Sequence, residues 1–322
     1  MAYLTKNIEK AKAALNNGDL VAIPTETVYG LAANATSIDA VKSIFKTKGR
    51  PSNNPLILHF SNFDAISPYV ASISDDVKLL AKSFWPGPLT LLLPKTDLVP
   101  EIITAGLPRV AVRVPSHPLT IKLLNELNYP LAAPSANPSG YISPTKASHV
   151  EKQLGDKIEF ILDGGNCKKG LESTILGWND NNKPTLYRQG VITAKDIEEV
   201  LKKEVVIHTP NSGRLEAPGM LSSHYAPKTK TIISDSIEST IRENSGLKLG
   251  LIKAFQPYKG PIIVSKQIVL SSNNLLEEIA QKLYASMHEL DALDLDLIII
   301  EKVIDEDIGL AINDRLKRSA VK

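Results

Sequence analysis

The sequence predicts an α/β fold in two units, and three observations carry that reading. Short apolar runs of strand length alternate with helically spaced apolar residues through roughly the first 200 positions. The alternation stops between His208 and Pro227, where HTPNSGRLEAPGMLSSHYAP has Pro, Gly and Ser punctuation and no periodicity. It resumes over the remaining ~95 residues as a smaller α/β pattern. The predicted boundaries are 1–205 for the first unit, 206–229 for a linker and 230–322 for the second unit.

Taken in order, Ile8, Ala11, Ala14 and Leu15 keep helical spacing, and Asn17-Gly18 stops the helix. Leu20 to Ile23 reads as a buried strand closed by Pro24. Val41, Ile44 and Phe45 mark a helix, Leu56 to Phe60 a strand and Val77 to Phe84 a helix. Strands follow at Leu89 to Leu93 and Val110 to Val114, then a helix from Ile121 to Leu127. Further strands lie at Leu131 to Ala133, Phe160 to Leu162, Ser173 to Leu176 and Thr185 to Tyr187, and a helix from Ile192 to Leu201 ends the unit. In the second unit, strands are expected at Thr231 to Ile233, Leu249 to Ile252, Ile262 to Val264 and Leu297 to Ile300. Leu275, Leu276, Ile279, Leu283 and Met287 outline an amphipathic helix, and Ile308 to Leu316 a terminal one.

Composition narrows the class. Hydrophobic residues are 43% and charged residues 22% of 322, an ordinary globular balance. The net charge of +2 argues against affinity of the whole chain for nucleic acid or membrane. Residues 1–203 nevertheless hold 23 basic against 19 acidic residues, whereas 228–322 hold 13 against 14. One cysteine, Cys167, excludes an intrachain disulfide and a cysteine-rich zinc site, and the six histidines are scattered. MAYLTKNIEKAKAAL lacks the apolar core of a signal peptide, and no apolar run approaches a membrane span, so a cytoplasmic protein is expected. There is no GxxxxGK[ST] loop and no GxGxxG after a strand.

Several segments could carry chemistry. In KTKGRPSNNPLILHF (46–60), Lys46, Lys48 and Arg50 follow Lys42 with no acid among them, and Asn53 and Asn54 add amide donors. Such a loop between a helix and a buried strand suits an anion or triphosphate, though a solvated basic loop has the same composition. The strand after it places His59 among buried neighbours. PTETVYGLAANA (24–35) sets Thr25, Glu26 and Thr27 at a strand end, where hydroxyls can hold a small ligand or cap a turn. LAAPSANPSGYISPT (131–145) opens from a strand into Ser135, Asn137, Ser139 and Ser143. Ser135 lacks the glycines of a nucleophile elbow. Arg113, inside the apolar strand of RVAVRVP, needs an anionic partner, either an internal carboxylate or a substrate carboxylate. GGNCKKGLESTI and LYRQG add Ser173, Thr174 and Arg188. Asp291, Asp294 and Asp296 are spaced like ligands, but the spacing is read as a solvated helix end.

The blocks PTETVYGLAANA, KxR within KTKGRPSNNPL, SFWPGPLTLLL, AVRVP, APSANPSG, and ESTI followed by LYRQG resemble, in this order, the YrdC domain family. With APGMLSSHYAP and the unit after it, the whole chain resembles the long, two-domain form of the threonylcarbamoyl-AMP synthase family. The resemblance implies a YrdC-like twisted sheet with a concave positive cavity, joined by an ordered linker that closes over the active site to a small Rossmann-like α/β domain. It implies that L-threonine, bicarbonate and ATP are joined into an adenylate with release of diphosphate. A separate tRNA threonylcarbamoyl transferase would then use the product beside the anticodon.

By the same resemblance the threonine site falls on Thr27, His59, Arg113, Ala133 and Ser173, with Arg113 on the threonine carboxylate. The ATP site falls on Lys48, Arg50, Asn54, Arg109, Ser135, Asn137, Ser143, Arg188 and Tyr225. Lys48 and Arg50 would supply fixed charge to the phosphates during transfer. Position 109 departs from the family pattern, which often has Thr there. Magnesium is expected to arrive with ATP and be held by its phosphates, with no metal site of the protein's own. Two rivals remain: a double-stranded RNA-binding module built on the +4 first unit, and the hydrogenase-maturing carbamoyltransferase that shares a YrdC-like domain. The second needs a zinc finger that one cysteine cannot build.

Overall fold

In the computed structural model, which describes residues 2–209, 216–220 and 225–321, the first unit is built on one twisted mixed sheet. Its strands are β1 (Tyr3–Thr5), β2 (Val21–Ile23), β3 (Gly30–Asn34), β4 (Ile57–His59), β5 (Leu89–Pro94), β6 (Arg109–Arg113), β7 (Leu131–Ala132), β8 (Phe160–Leu162), β9 (Thr174–Trp178), β10 (Pro184–Arg188) and β11 (Val206–Ile207). The helices are α1 (Ile8–Asn16), α2 (Ile38–Lys48), α3 (Asp75–Phe84), α4 (Glu101–Thr104), α5 (Pro118–Asn125), α6 (Ala147–Leu154) and α7 (Ala194–Leu201). The strands run in the order β1-β8-β2-β3-β7-β4-β6-β5-β9-β10-β11. At its centre β4 lies parallel to β6 and antiparallel to β7, so His59 sits beside Arg113 on one side and Leu131 on the other.

Local chemistry explains the pieces that frame the centre. Ser37 caps α2 by accepting from the Ala40 amide, and Ala40, Val41, Ile44 and Phe45 bury one face of that helix. Gly49 ends it in the left-handed conformation at φ 60°, which turns the chain so that Lys48 and Arg50 both point inward. The edge strand β1, strand β3, helices α4 and α6, and the short β11, which falls at the start of the expected linker, have no counterpart in the predicted pattern. Tyr3 and Leu4 of β1 are exposed, which removes its alternation. The buried face of α6 includes His149 among Ala147, Val150 and Leu154.

The second unit is a four-stranded parallel sheet of β12 (Thr231–Ser234), β13 (Leu249–Lys253), β14 (Lys266–Val269) and β15 (Leu297–Glu301), ordered β12-β15-β13-β14. Helices α8 (Ile237–Glu243) and α9 (Leu276–Asp291) make crossovers, and α10 (Ile308–Ser319) follows the last strand. The strand expected at Ile262 to Val264 is irregular chain, and the edge strand begins at Lys266. Ile263 is 93% exposed, while Ile262 and Val264 pack over the cluster of Ile237 and Ile241. Their apolar character reports that packing, not pairing. Among the described residues no helix is long and apolar enough to cross a membrane.

The two units share one apolar cluster, in which Val28, Ile142 and Leu171 of the first pack with Ile279, Leu283, Tyr284 and Met287 of α9. Gly170, at φ 76°, lets the first unit's backbone press against α9, since a Cβ there would lie 2.4 Å from the Ala280 carbonyl oxygen. The aspartates of 291–296 are structural. Asp291 accepts from the Tyr141 hydroxyl and the Thr229 amide, Asp294 pairs with Lys248, and Asp296 accepts from the Lys248 amide.

At the same interface the rings of His149 and His288 meet at a tilt of 36° with centroids 4.1 Å apart, near Lys146, Lys152, Asp291 and Tyr141. Burial lowers His149 to about 3 and His288 to about 4, so both are neutral in the fold. The unfolded chain binds those protons near pH 6.5, so their stabilising effect is complete above that pH and is lost as pH falls toward about 4. Urea midpoints should therefore drop between about pH 7.5 and pH 5, with His288→Asn flattening the trend. An identical pH slope in that variant would refute this assignment.

Candidate active site

The site grows from strand ends that converge beneath the linker. Thr25 and Thr27 follow β2, Arg50 and Pro55 lie between α2 and β4, and His59 and Arg113 end β4 and β6. Ala133 and Ser135 follow β7, Glu172 and Ser173 precede β9, and Arg188 ends β10. With Pro218, Gly219 and Tyr225 of the linker they enclose a cavity whose empty space, mouth included, is about 550 Å³. Gly219 sits at φ 80° with Arg188 so close that a Cβ would lie 2.9 Å from its Nη1. Tyr225 is fully buried and held at φ 67°, a backbone state that bulky side chains seldom adopt.

One end of the cavity is organised around Arg113. Its Nη2 donates to Glu26 Oε1 at 2.6 Å and Thr27 Oγ1 at 3.0 Å, and its Nε to the Gly87 carbonyl at 3.2 Å. The Ser116 amide donates to Glu26 Oε2 at 2.9 Å. Burial alone would raise the Glu26 carboxyl, but Arg113 and the Ser116 amide outweigh it and hold the group below its ordinary value. Of the two partners open to Arg113, the internal carboxylate is therefore the one in place, and Nη1 lies outside these bonds. His59 is lowered to about 3, first by burial and then by Arg113, so its ring is neutral. Burial pushes the Cys167 thiol up to about 12, which makes it inert.

The other end is organised around two more arginines. Arg188 donates to the Ser173 carbonyl at 2.9 Å, to Ser173 Oγ at 3.0 Å and to the Pro218 carbonyl at 3.2 Å. Arg50 donates to the Asn54 carbonyl at 3.2 Å, to Asn54 Oδ1 at 2.5 Å and to the Pro55 carbonyl at 2.8 Å. Burial lowers both arginines to about 10, and the charge of Arg188 adds to the effect on Arg50. The Asn54 amide nitrogen is buried with no partner, an orphaned donor beside that guanidinium.

Nine of the residues expected from the sequence line this cavity: Thr27, Arg50, His59, Arg113, Ala133, Ser135, Ser173, Arg188 and Tyr225. Five do not. Lys48 is buried at the end of α2 and donates to the Ser135 and Asn137 carbonyls, so its ammonium holds the 135–137 loop and does not face the cavity. Burial, with Arg50 nearby, drives it well below an ordinary lysine. Asn137 ties the same loop through the Pro138 and Tyr141 carbonyls, and Ser143 donates to Glu172. Asn54 lies behind Arg50. Arg109 turns to Trp178, Tyr187 and Glu216, fastening the linker to the sheet. Sequence reasoning missed Glu172 and Gly219, although both sit inside blocks it quoted. Linker residues 210–215 and 221–224, including His224, lie outside the described residues.

Residues 13–190 match the family model described as telomere recombination, that of Sua5, YciO and YrdC. Residues 192–321 match the model of the threonylcarbamoyl-AMP synthase C-terminal domain. The threonylcarbamoyl-AMP synthase of Pyrococcus abyssi is 39% identical over 97% of this chain and 94% of its own length. That of Bacillus subtilis is 40% identical over 97% of this chain and 92% of its own. Among solved structures, that of P. abyssi Sua5 complexed with L-threonine superposes with a TM-score of 0.90 at 38% identity, covering 99% of this chain and 97% of the other.

Proposed function

The chain belongs to the threonylcarbamoyl-AMP synthase family in its two-domain form, and from that premise we propose that it joins L-threonine, bicarbonate and ATP into threonylcarbamoyl-adenylate. The observation that carries the proposal is the cavity's charge. Among the described residues, three buried arginines, Arg50, Arg113 and Arg188, line the cavity beside a single lining carboxylate, Glu172, which is itself bonded to protein. Buried cations of that density call for anionic occupants, and a carboxylate, a bicarbonate and a triphosphate are such occupants.

In this reading the threonine carboxylate meets Arg113 through Nη1, with Thr27, Ser173 and the backbone at Ala133 around the amino acid and neutral His59 against it. The amine adds to the bicarbonate carbon with loss of water to form a carbamate. A carbamate oxygen then attacks the α-phosphorus, and diphosphate leaves with the electrons of the broken P–O bond. Arg50 and Arg188, at the other end, stabilise charge developing on phosphorus and leaving group. With His59 lowered to about 3 it is too weak a base at neutral pH, so catalysis rests on positioning and fixed charge. Lys48, Asn137 and Ser143 act behind this wall by fixing the 135–143 loop and Glu172. Tyr225 and Gly219 cover the reactants and keep water from a labile carbamate.

Magnesium fits as a companion of the triphosphate. In this reading it would arrive with ATP and be held by the phosphate oxygens, which are the hard oxygen ligands it prefers. Bound there, it would neutralise phosphate charge. We further propose that the adenylate supplies a separate tRNA threonylcarbamoyl transferase that modifies the adenosine next to the anticodon.

The test is mass spectrometry after incubation with ATP, magnesium, threonine and ¹³C-bicarbonate. The expected product is an adenylate carrying both the label and threonine. Its absence from folded protein would overturn the proposal, and salt-sensitive retention of double-stranded RNA in that sample would favour the binding-module alternative.

A further inference from the structure

The second domain reaches the site through two side chains of α10. Arg315, the largest fully buried side chain among the described residues, donates from Nε to Glu172 Oε2 at 3.0 Å and from Nη2 to the Gln189 carbonyl at 2.7 Å. Its guanidinium lies 5.4 Å from the centre of the Tyr225 ring. Three residues on, Arg318 donates to the Gly219 carbonyl at 3.2 Å. From α9, Tyr284 stacks on Tyr225 at 5.6 Å and donates its hydroxyl to Glu172 Oε2 at 3.0 Å. Glu172 in turn accepts from Ser143 at 2.5 Å and precedes Ser173, the anchor of Arg188.

We propose that Arg315 is a positioning residue for the nucleotide end of the cavity: through Glu172, Gln189 and the Tyr225 ring it makes the second domain part of the synthase site. The inference rests on the function proposed above and adds to it a role for residues outside the catalytic domain. A buried ion pair is a costly way to hold two domains together, and an apolar pair of the same volume packs at least as well. Directionality is what the charge supplies here. The guanidinium fixes a carboxylate, a carbonyl and an aromatic face at once; Glu172 and Tyr225 line the cavity, and Gln189 directly follows Arg188, which does too. The Arg113 end shares none of these contacts, because its partners are Glu26, Thr27 and Gly87.

The experiment measures diphosphate release and threonine binding on the full chain. Arg315→Met should raise KM for ATP about tenfold with threonine affinity, read by calorimetry, within about twofold of the parent. Arg315→Lys, which keeps charge but not the fork, should fall between. Tyr284→Phe, which removes one hydroxyl without changing packing, should shift KM for ATP about threefold in the same direction. An unchanged KM for ATP in folded Tyr284→Phe and Arg315→Lys would overturn the proposal. So would a loss of active fraction with KM intact, the mark of a merely structural role. If Arg315→Met does not fold, the other two variants decide. Failure of the parent to make adenylate would instead refute the underlying function.

Discussion

Arg113→Met should abolish threonine-dependent adenylate formation, lowering kcat/KM for threonine by about a thousandfold, and should also destabilise the fold. The first effect follows from removing Arg113, the cation proposed to hold the amino-acid carboxylate. Truncating one partner of a buried charge pair costs about 2–5 kcal/mol in binding, and about 4 kcal/mol corresponds to that factor. The second follows from Glu26, whose oxygens accept from Arg113 and from the Ser116 amide in a site that is 6% exposed. Deleting the arginine strands a buried carboxylate, at about 3–5 kcal/mol. The two effects separate in Arg113→Met/Glu26→Gln. The double variant should recover most of the thermal stability, since the stranded charge is gone, but none of the activity. Adenylate made at the parent rate by that double variant would remove Arg113 from the substrate site.

Arg50→Ala should cut adenylate formation by about 10²–10³ while leaving threonine affinity within about twofold. Arg50 is buried, faces the cavity beside Pro55, and among the described residues bonds to Asn54 and the Pro55 carbonyl and to no carboxylate. A cation held this way, with Arg188 close enough to lower it further, is stabilised by an incoming polyanion more than by the protein. The loss should therefore appear in the steps that involve ATP. Calorimetric titration of threonine into the variant gives the control. Weakened threonine binding equal to the loss in rate would mean that Arg50 shapes the cavity and does not serve the phosphates.

Arg113 was legible in the sequence because a guanidinium inside an apolar strand is too costly to be incidental. Its resident partner was not. Glu26 lies 87 residues away, and only the register of β6 beside β4 and the turn after β2 bring the two together. Lys48 shows the opposite case. A run of Lys42, Lys46, Lys48 and Arg50 reads as one basic loop, yet α2 continues through Lys48 and the left-handed Gly49 separates it from Arg50. One cation reaches the cavity and the other is consumed by carbonyl oxygens. Arg109 likewise fastens the linker through Glu216. Arg315 gave no signal at all, since on an amphipathic terminal helix an arginine normally faces water, and its partner Glu172 is 143 residues distant.

Local pattern in the chain sets the alternating α/β order, the break between the two units, and the loops that carry polar residues at strand ends, and its one cysteine excludes an intrachain disulfide. These are properties of local pattern, because apolar periodicity, prolines and glycines act within a few residues of where they stand. Tertiary structure alone decided which charges face the cavity and which are spent on the protein, how the linker's Gly219 and Tyr225 close it, and that the second domain holds its wall. The reason is physical. The free energy of a buried charge depends on partners brought within about 3 Å by the packing of distant segments, and no local spacing in the chain encodes that distance.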